Sequence, residues 1–170
     1  EGFSKGVRTV LNARAAFRPK ICGVVAELFS VEDAYVTALE TALGGALQNI
    51  ITQDARAAQD AIAYLKKVQG GRATFLPLDT LRPRALGTRE KAALSCPGII
   101  GIAGDLVRCE EAVRPAVRFL LGQVLVADNL DHAMAAARKA DMRVRIVTLE
   151  GDVVYAGGSL SGGQKQQGKS

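Results

Sequence analysis

The chain has 170 residues, 48% hydrophobic and 23% charged, values of a globular protein with an ordinary core. Aromatic residues make up only 5%, which argues against a stacking platform for single-stranded nucleic acid, and no apolar run reaches the ~18 residues of a membrane span. The net charge of +5 is uneven: residues 1–20 carry +4, residues 66–91 carry +5, residues 157–170 carry +2 and the remainder −6, a distribution that suits either solvated loops or weak, salt-dependent contact with a polyanion.

Val7, Val10 and Leu11 stand at helical spacing and predict a short helix over 5–16, ended by Arg18-Pro19 because a residue before proline disfavours the helical region. Gly23–Phe29 reads as a strand. Ser30 with Glu32 and Asp33 then predicts a helix start, with Ala34, Ala38, Leu39 and Leu43 inward and Gly44-Gly45 as the stop. A second strand, Leu47–Thr52, precedes a helix capped by Asp54 and running to Val68, with Ala58, Ala61, Ile62 and Leu65 on one face. Arg72–Leu78 reads as a third strand, and Pro77 puts its end or a sheet edge there. The connector that follows is basic and proline-containing, with one or two helical turns over Arg89–Leu94.

Beyond the connector the pattern returns. Gly101-Ile102-Ala103-Gly104-Asp105-Leu106 lies 78 residues after Gly23-Val24-Val25-Ala26-Glu27-Leu28, and at that offset Glu110-Glu111 follows Glu32-Asp33 and Gly122 follows Gly44. The second copy continues with a strand at Gln123–Ala127, a helix at Leu130–Ala140 and a strand at Arg143–Leu149. Glu150-Gly151-Asp152 then predicts a tight turn into Val153–Tyr155. Pro115 has no counterpart and fits only if its helix starts near Arg114. The expectation is an α/β fold of two tandem β-α-β-α-β half-domains with mixed sheets. Halves of this size leave strand edges that must be paired, covered or blunted.

No catalytic constellation can be built. His132 is the single histidine and reads as structural or surface; Glu32-Asp33 and Glu110-Glu111 sit at helix starts and serve the helix dipole. Cys22, Cys96 and Cys109 lack metal or redox spacing and read as reduced thiols of a cytosolic protein; no metal or cofactor is expected. The chemistry-bearing stretch is Gly157-Gly158-Ser159-Leu160-Ser161-Gly162-Gly163, with four glycines in seven residues. Leu160–Gln164 spells the signature of ABC-type ATPases. Gly163–Ser170 spells a P-loop pattern, but that loop needs a strand before it and a helix after it. The third reading is a bare backbone that another chain can approach closely.

The stretches Gly23–Leu28, Ala42–Ile50, Gly71–Leu78 and Gly157–Gly163, in that order, resemble the hinge domain of the structural maintenance of chromosomes (SMC) family in its bacterial, condensin-like form. The resemblance implies a ring-like, two-fold homodimer that joins two coiled-coil arms, with Gly157, Gly158, Ser159, Leu160, Ser161, Gly162 and Gly163 at the dimer interface. It also implies weak DNA binding near the arms, through Lys5, Arg8, Arg14, Lys165 and Lys169; Lys66 and Lys67 are a further possibility. It divides the chain into the end of an incoming arm (1–16), half-domain I (17–78), a connector (79–100), half-domain II (101–163) and the start of an outgoing arm (164–170). The expected role is non-enzymatic, in a cytoplasmic, nucleoid-associated protein whose ATPase heads lie outside this chain. The alternatives are a nucleotide-binding fragment of an ABC-type ATPase and a small-molecule regulatory domain. Alanine at Gly158 and Gly162 is expected to separate the copies and leave each folded.

Overall fold

The structure, a computed structural model, describes residues 2–17 and 20–164. The fold is α/β with two mixed sheets. In chain order the first copy has α1 (Lys5–Asn12), β1 (Ile21–Val24), the single turn α2 (Val25–Leu28), α3 (Val36–Leu43), β2 (Ile50–Thr52), α4 (Ala55–Val68) and β3 (Phe75–Pro77). After α5 (Thr88–Lys91) the second copy has β4 (Ile99–Ile102), α6 (Arg114–Leu121), β5 (Val124–Ala127), α7 (Leu130–Lys139) and β6 (Arg145–Thr148), followed by β7 (Val153–Val154) and β8 (Leu160–Ser161).

The repeat read from the sequence is a structural repeat. β4 and α6 begin and end 78 residues after β1 and α3. In both sheets the first strand is antiparallel to the second and the second parallel to the third: β1-β2-β3 and β4-β5-β6. Each first strand carries a register shift at the same place, between Ile21 and Gly23 and between Ile99 and Gly101. The helix between the second and third strands of each copy, α4 or α7, is capped in the same way. Asp54 Oδ1 accepts from the Ala57 N–H, and Asn129 Oδ1 from the His132 N–H, both at 2.8 Å.

Local departures from the expected elements have physical causes. The strand expected over Gly23–Phe29 ends at Val24, because the Val25 N–H donates to the Asn49 carbonyl and the Phe29 N–H closes a turn back to Val25. The helix expected from Glu32 starts through a 3-10 turn, Asp33–Tyr35. Glu32 gives no side-chain cap, and Ala34 stays exposed while Ala42 is buried in its place. On α4 the buried face is Ala57, Ala58, Ala61 and Leu65, leaving Ile62 40% exposed. The second and third strands are shorter than expected, since Gly44–Gln48 forms a 3-10 turn and pairing along β3 begins only at Phe75. Pro115 falls in the first turn of α6, where a missing N–H costs nothing.

The chain groups into two compact units. One is drawn from Glu1–Ser30, Gly45–Arg82 and Cys109–Ala116; the other from Val31–Gly44, Pro83–Arg108 and Val117–Ser170. In the first, α1 packs on α4, and Val7, Val10, Ile21, Val24, Ile50, Ala61 and Leu65 form one apolar cluster. In the second, Ala133, Ala136 and Ala137 of α7 and Ala140 just after it cluster with Leu125, Ile146 and Val154. Small residues on α7 let the helix approach the sheet closely. Both units exclude water from their central strands, which are buried at every position of β2 and β5.

Candidate functional site

The glycine-rich stretch is the end of a sheet. The expected turn at 150–152 forms: the Thr148 N–H donates to the Asp152 carbonyl at 2.9 Å, and Thr148 Oγ1 accepts from the Asp152 N–H at 3.0 Å. β6 and β7 are its antiparallel arms. The chain then makes a second hairpin, with Val154 opposite Leu160 and Val153 opposite Ser161. Its loop needs φ of +96° at Gly157 and +104° at Gly158, values that a Cβ opposes. The Gly158 N–H donates to the Tyr155 carbonyl at 3.0 Å, and the Gly157 N–H to Met142 at 2.8 Å. Beyond β8 the Gly163 N–H reaches Asp152 Oδ1 at 3.2 Å, and a Cβ on Gly162 would lie 2.3 Å from that oxygen.

Two expectations change here. Leu160-Ser161 is a strand, not bare backbone after the last one. Alanine at Gly158 and Gly162 would strain the hairpin inside a single copy, so that pair of substitutions does not isolate an interface. Asp152, which the sequence reading passed over as a turn residue, holds the far end of the hairpin.

β8 is the last strand of its sheet. The Tyr155 N–H donates to the Ser159 carbonyl, so residues 159 and 161 face β7 and the main chain of Leu160 faces the outer edge. The Leu160 side chain is 53% exposed. Among the described residues the edge therefore offers an unpaired donor and acceptor together with an apolar side chain, the combination that pairs with another strand. The same pairing tells against the ABC-type signature, which needs a helix N-terminus where Leu160-Ser161 is a strand. Most of the P-loop pattern, residues 165–170, lies outside the described residues.

The basic residues divide. Lys5 and Arg8 are exposed neighbours one turn apart on α1. Arg8 Nη1 donates to the Phe3 carbonyl. Arg14 is exposed but committed: its Nη2 donates to the carbonyls of Ile21 and Cys22, fastening the turn after α1 to β1. Lys66 and Lys67 are exposed at the C-terminal end of α4, where they also complement the helix dipole. Lys165 and Lys169 lie outside the described residues. His132 Nδ1 lies 2.6 Å from Asp128 Oδ1 at the start of α7. The three cysteines are unpaired, and burial pushes the thiols of Cys22 and Cys109 up, so they stay protonated at neutral pH. Among the described residues no group of His, Cys, Asp and Glu is arranged to hold a metal.

Comparison with known proteins identifies the family. The family described as SMC proteins Flexible Hinge Domain matches residues 18–137. The Chromosome partition protein Smc of Bacillus subtilis is 45% identical over 163 residues, covering 95% of this chain and 14% of that protein. That of Desulfitobacterium hafniense is 44% identical over 170 residues, covering 98% and 14%. The chain thus spans about one seventh of the length of these relatives. Among solved structures, an asymmetric dimer of the Geobacillus stearothermophilus SMC hinge domain superposes with a TM-score of 0.90 at 48% identity, covering 98% of this chain and 68% of that one. The Pyrococcus furiosus Smc hinge domain with an extended coiled coil gives 0.76 at 32% identity, covering 94% and 56%. The repeated mixed sheets, the glycine hairpin and these matches lead to one conclusion: the chain belongs to the SMC hinge domain family.

Proposed function

We propose that this chain is the homodimerisation hinge of a chromosome-organising SMC protein, and that the outer edge of β8 is a contact between copies. The observation that carries the reading is Leu160, whose main chain faces the open edge of the five-stranded sheet and whose side chain is half exposed. Two copies each contribute such an edge. Strand pairing satisfies its donor and acceptor, and burying the exposed half of Leu160 stabilises the contact by about 1–1.5 kcal/mol per edge. The dimer named for the Geobacillus stearothermophilus hinge domain supports the reading.

In the whole protein the hinge joins two coiled-coil arms, and α1 leads in from one of them; the Pyrococcus furiosus hinge with an extended coiled coil supports that role. The function is mechanical, and the ATPase chemistry belongs to other parts of the protein. Lys5 and Arg8, with Lys165 and Lys169, present charge to DNA phosphates near the arms, as expected of a nucleoid-associated protein. Arg14 contributes charge without a free donor fork.

Sedimentation equilibrium tests the association. The expected mass is twice 17.9 kDa at micromolar concentration; a single 17.9 kDa species at every concentration would overturn the reading. DNA affinity should be weak and fall steeply with salt. An affinity equal at low and high salt would remove the phosphate contact.

A further inference from the structure

A pocket of about 390 Å³ in the second unit is not accounted for by association. Its polar lining residues are three arginines, Arg84, Arg143 and Arg145, with Gln123, Tyr155 and one acid, Glu90. We propose that it binds a compact small molecule carrying a terminal phosphate, gripped by the three arginines.

The sequence brings these groups together by three separate devices. Arg143 and Arg145 flank Val144 where the chain bends into β6, and both line the pocket. Arg84 comes from the connector, which is pinned at Arg84 and at the next residue. Its N–H donates to the Arg118 carbonyl at 3.3 Å, and Gln123 Nε2 donates to the Ala85 carbonyl at 2.8 Å. Gly122 makes the fit possible, since a Cβ there would lie 1.9 Å from the Arg84 carbonyl oxygen. The Arg84 guanidinium then stacks on Phe119, 4.3 Å from the ring centre, which orients its edge and leaves its donors for a ligand.

The charge in this pocket is only partly compensated. Among the described residues neither Arg84 nor Arg145 forms an ion pair, and only Arg143 has a carboxylate partner, Asp141 at 3.6 Å. Glu90 is the one acidic residue in the lining. Burial pushes the Arg145 guanidinium below its ordinary value, although it stays cationic at neutral pH. A partly desolvated cation without a partner is costly, and a bound anion removes that cost. Three forked donors and a phenol match the three free oxygens of a terminal phosphate better than the two of a carboxylate or a phosphodiester. The volume falls at the small end of ligand sites, about 300–1,000 Å³, and suits a phosphate with a modest attached group rather than a duplex.

The test is titration of the full chain with inorganic phosphate and with pyrophosphate, followed by amide NMR, beside a parallel titration with a short DNA duplex. Saturable shifts confined to the amides of Gln123, Arg145 and Tyr155, at low-millimolar or tighter affinity, are expected for the phosphates and not for the duplex. Arg145→Gln should weaken binding by about tenfold or more. Arg143→Gln, at an exposed position, should weaken it with the fold intact, and Arg56→Gln on α4 should leave it unchanged. The proposal is overturned by the absence of saturation with either phosphate. Equal weakening by Arg56→Gln, or equal shifts with the duplex, would overturn it as well by reducing the effect to general surface charge.

Discussion

In the three-stranded sheet the parallel strand β3 ends the order with Pro77, whereas its counterpart β6 is followed by a hairpin, so that β8 becomes the edge. The two sheets share their first three strands, their register shifts and their caps. They differ in what they do with the third strand. The Thr74 carbonyl and the Leu78 N–H both bond to β2, so Pro77 turns its nitrogen outward and removes a donor from that edge. The second copy instead adds about fifteen residues that bury Val153 and Val154 and set Leu160 outward, with its main chain unpaired among the described residues. A duplicated scaffold has thus been finished in two ways, one blunting an edge and the other making one.

The comparison can be broken at its shared parts first. Ile50 and Leu125 hold equivalent positions, each paired with the bulged first strand and with the parallel third, and both are fully buried. Alanine at either should cost about 2–5 kcal/mol in denaturant unfolding. A loss under about 1 kcal/mol at one of them would show that the copies do not share a core plan. A smaller effect separates the caps. Asn129→Ala should cost about 1 kcal/mol at any pH where the chain folds. The Asp54 carboxyl is held below the usual aspartate value, chiefly by the Ala57 N–H, with burial opposing and Lys20 adding to it. Its contribution is therefore complete above about pH 4 and is lost as pH falls through the lowered folded value. Asp54→Asn should flatten the acid limb of stability, and an unchanged acid limb would remove Asp54 from it.

Much of the scaffold was legible because it rests on local signals. The Asp54 cap, the glycine stops after α3 and α6 and the turn at 150–152 each need only a few adjacent residues. The offset of 78 residues was visible for the same reason. Three features were not legible. The turn α2 replaces the end of a strand because of a bond from Val25 to Asn49, a partner far along the chain. The stretches Val31–Gly44 and Cys109–Ala116 each group with the unit built mainly from the other copy, and nothing in their composition marks this. The arginine pocket joins a connector residue to a strand entrance about sixty positions later, a pairing that no local signal marks. At the glycine stretch the sequence signalled close approach, but part of that approach is internal: Gly157 and Gly158 serve the loop, and Gly162 makes room for Asp152.

The edge itself is tested most directly by Leu160→Lys. At 53% exposure the change leaves the hairpin of a single copy free to form, and it places a charge where the proposed contact between copies needs apolar burial. Sedimentation equilibrium with the wild type alongside should show dimer dissociation made at least about tenfold easier, with unfolding of the monomer unchanged. A variant that stays at twice 17.9 kDa with the wild-type dissociation constant would contradict association through β8.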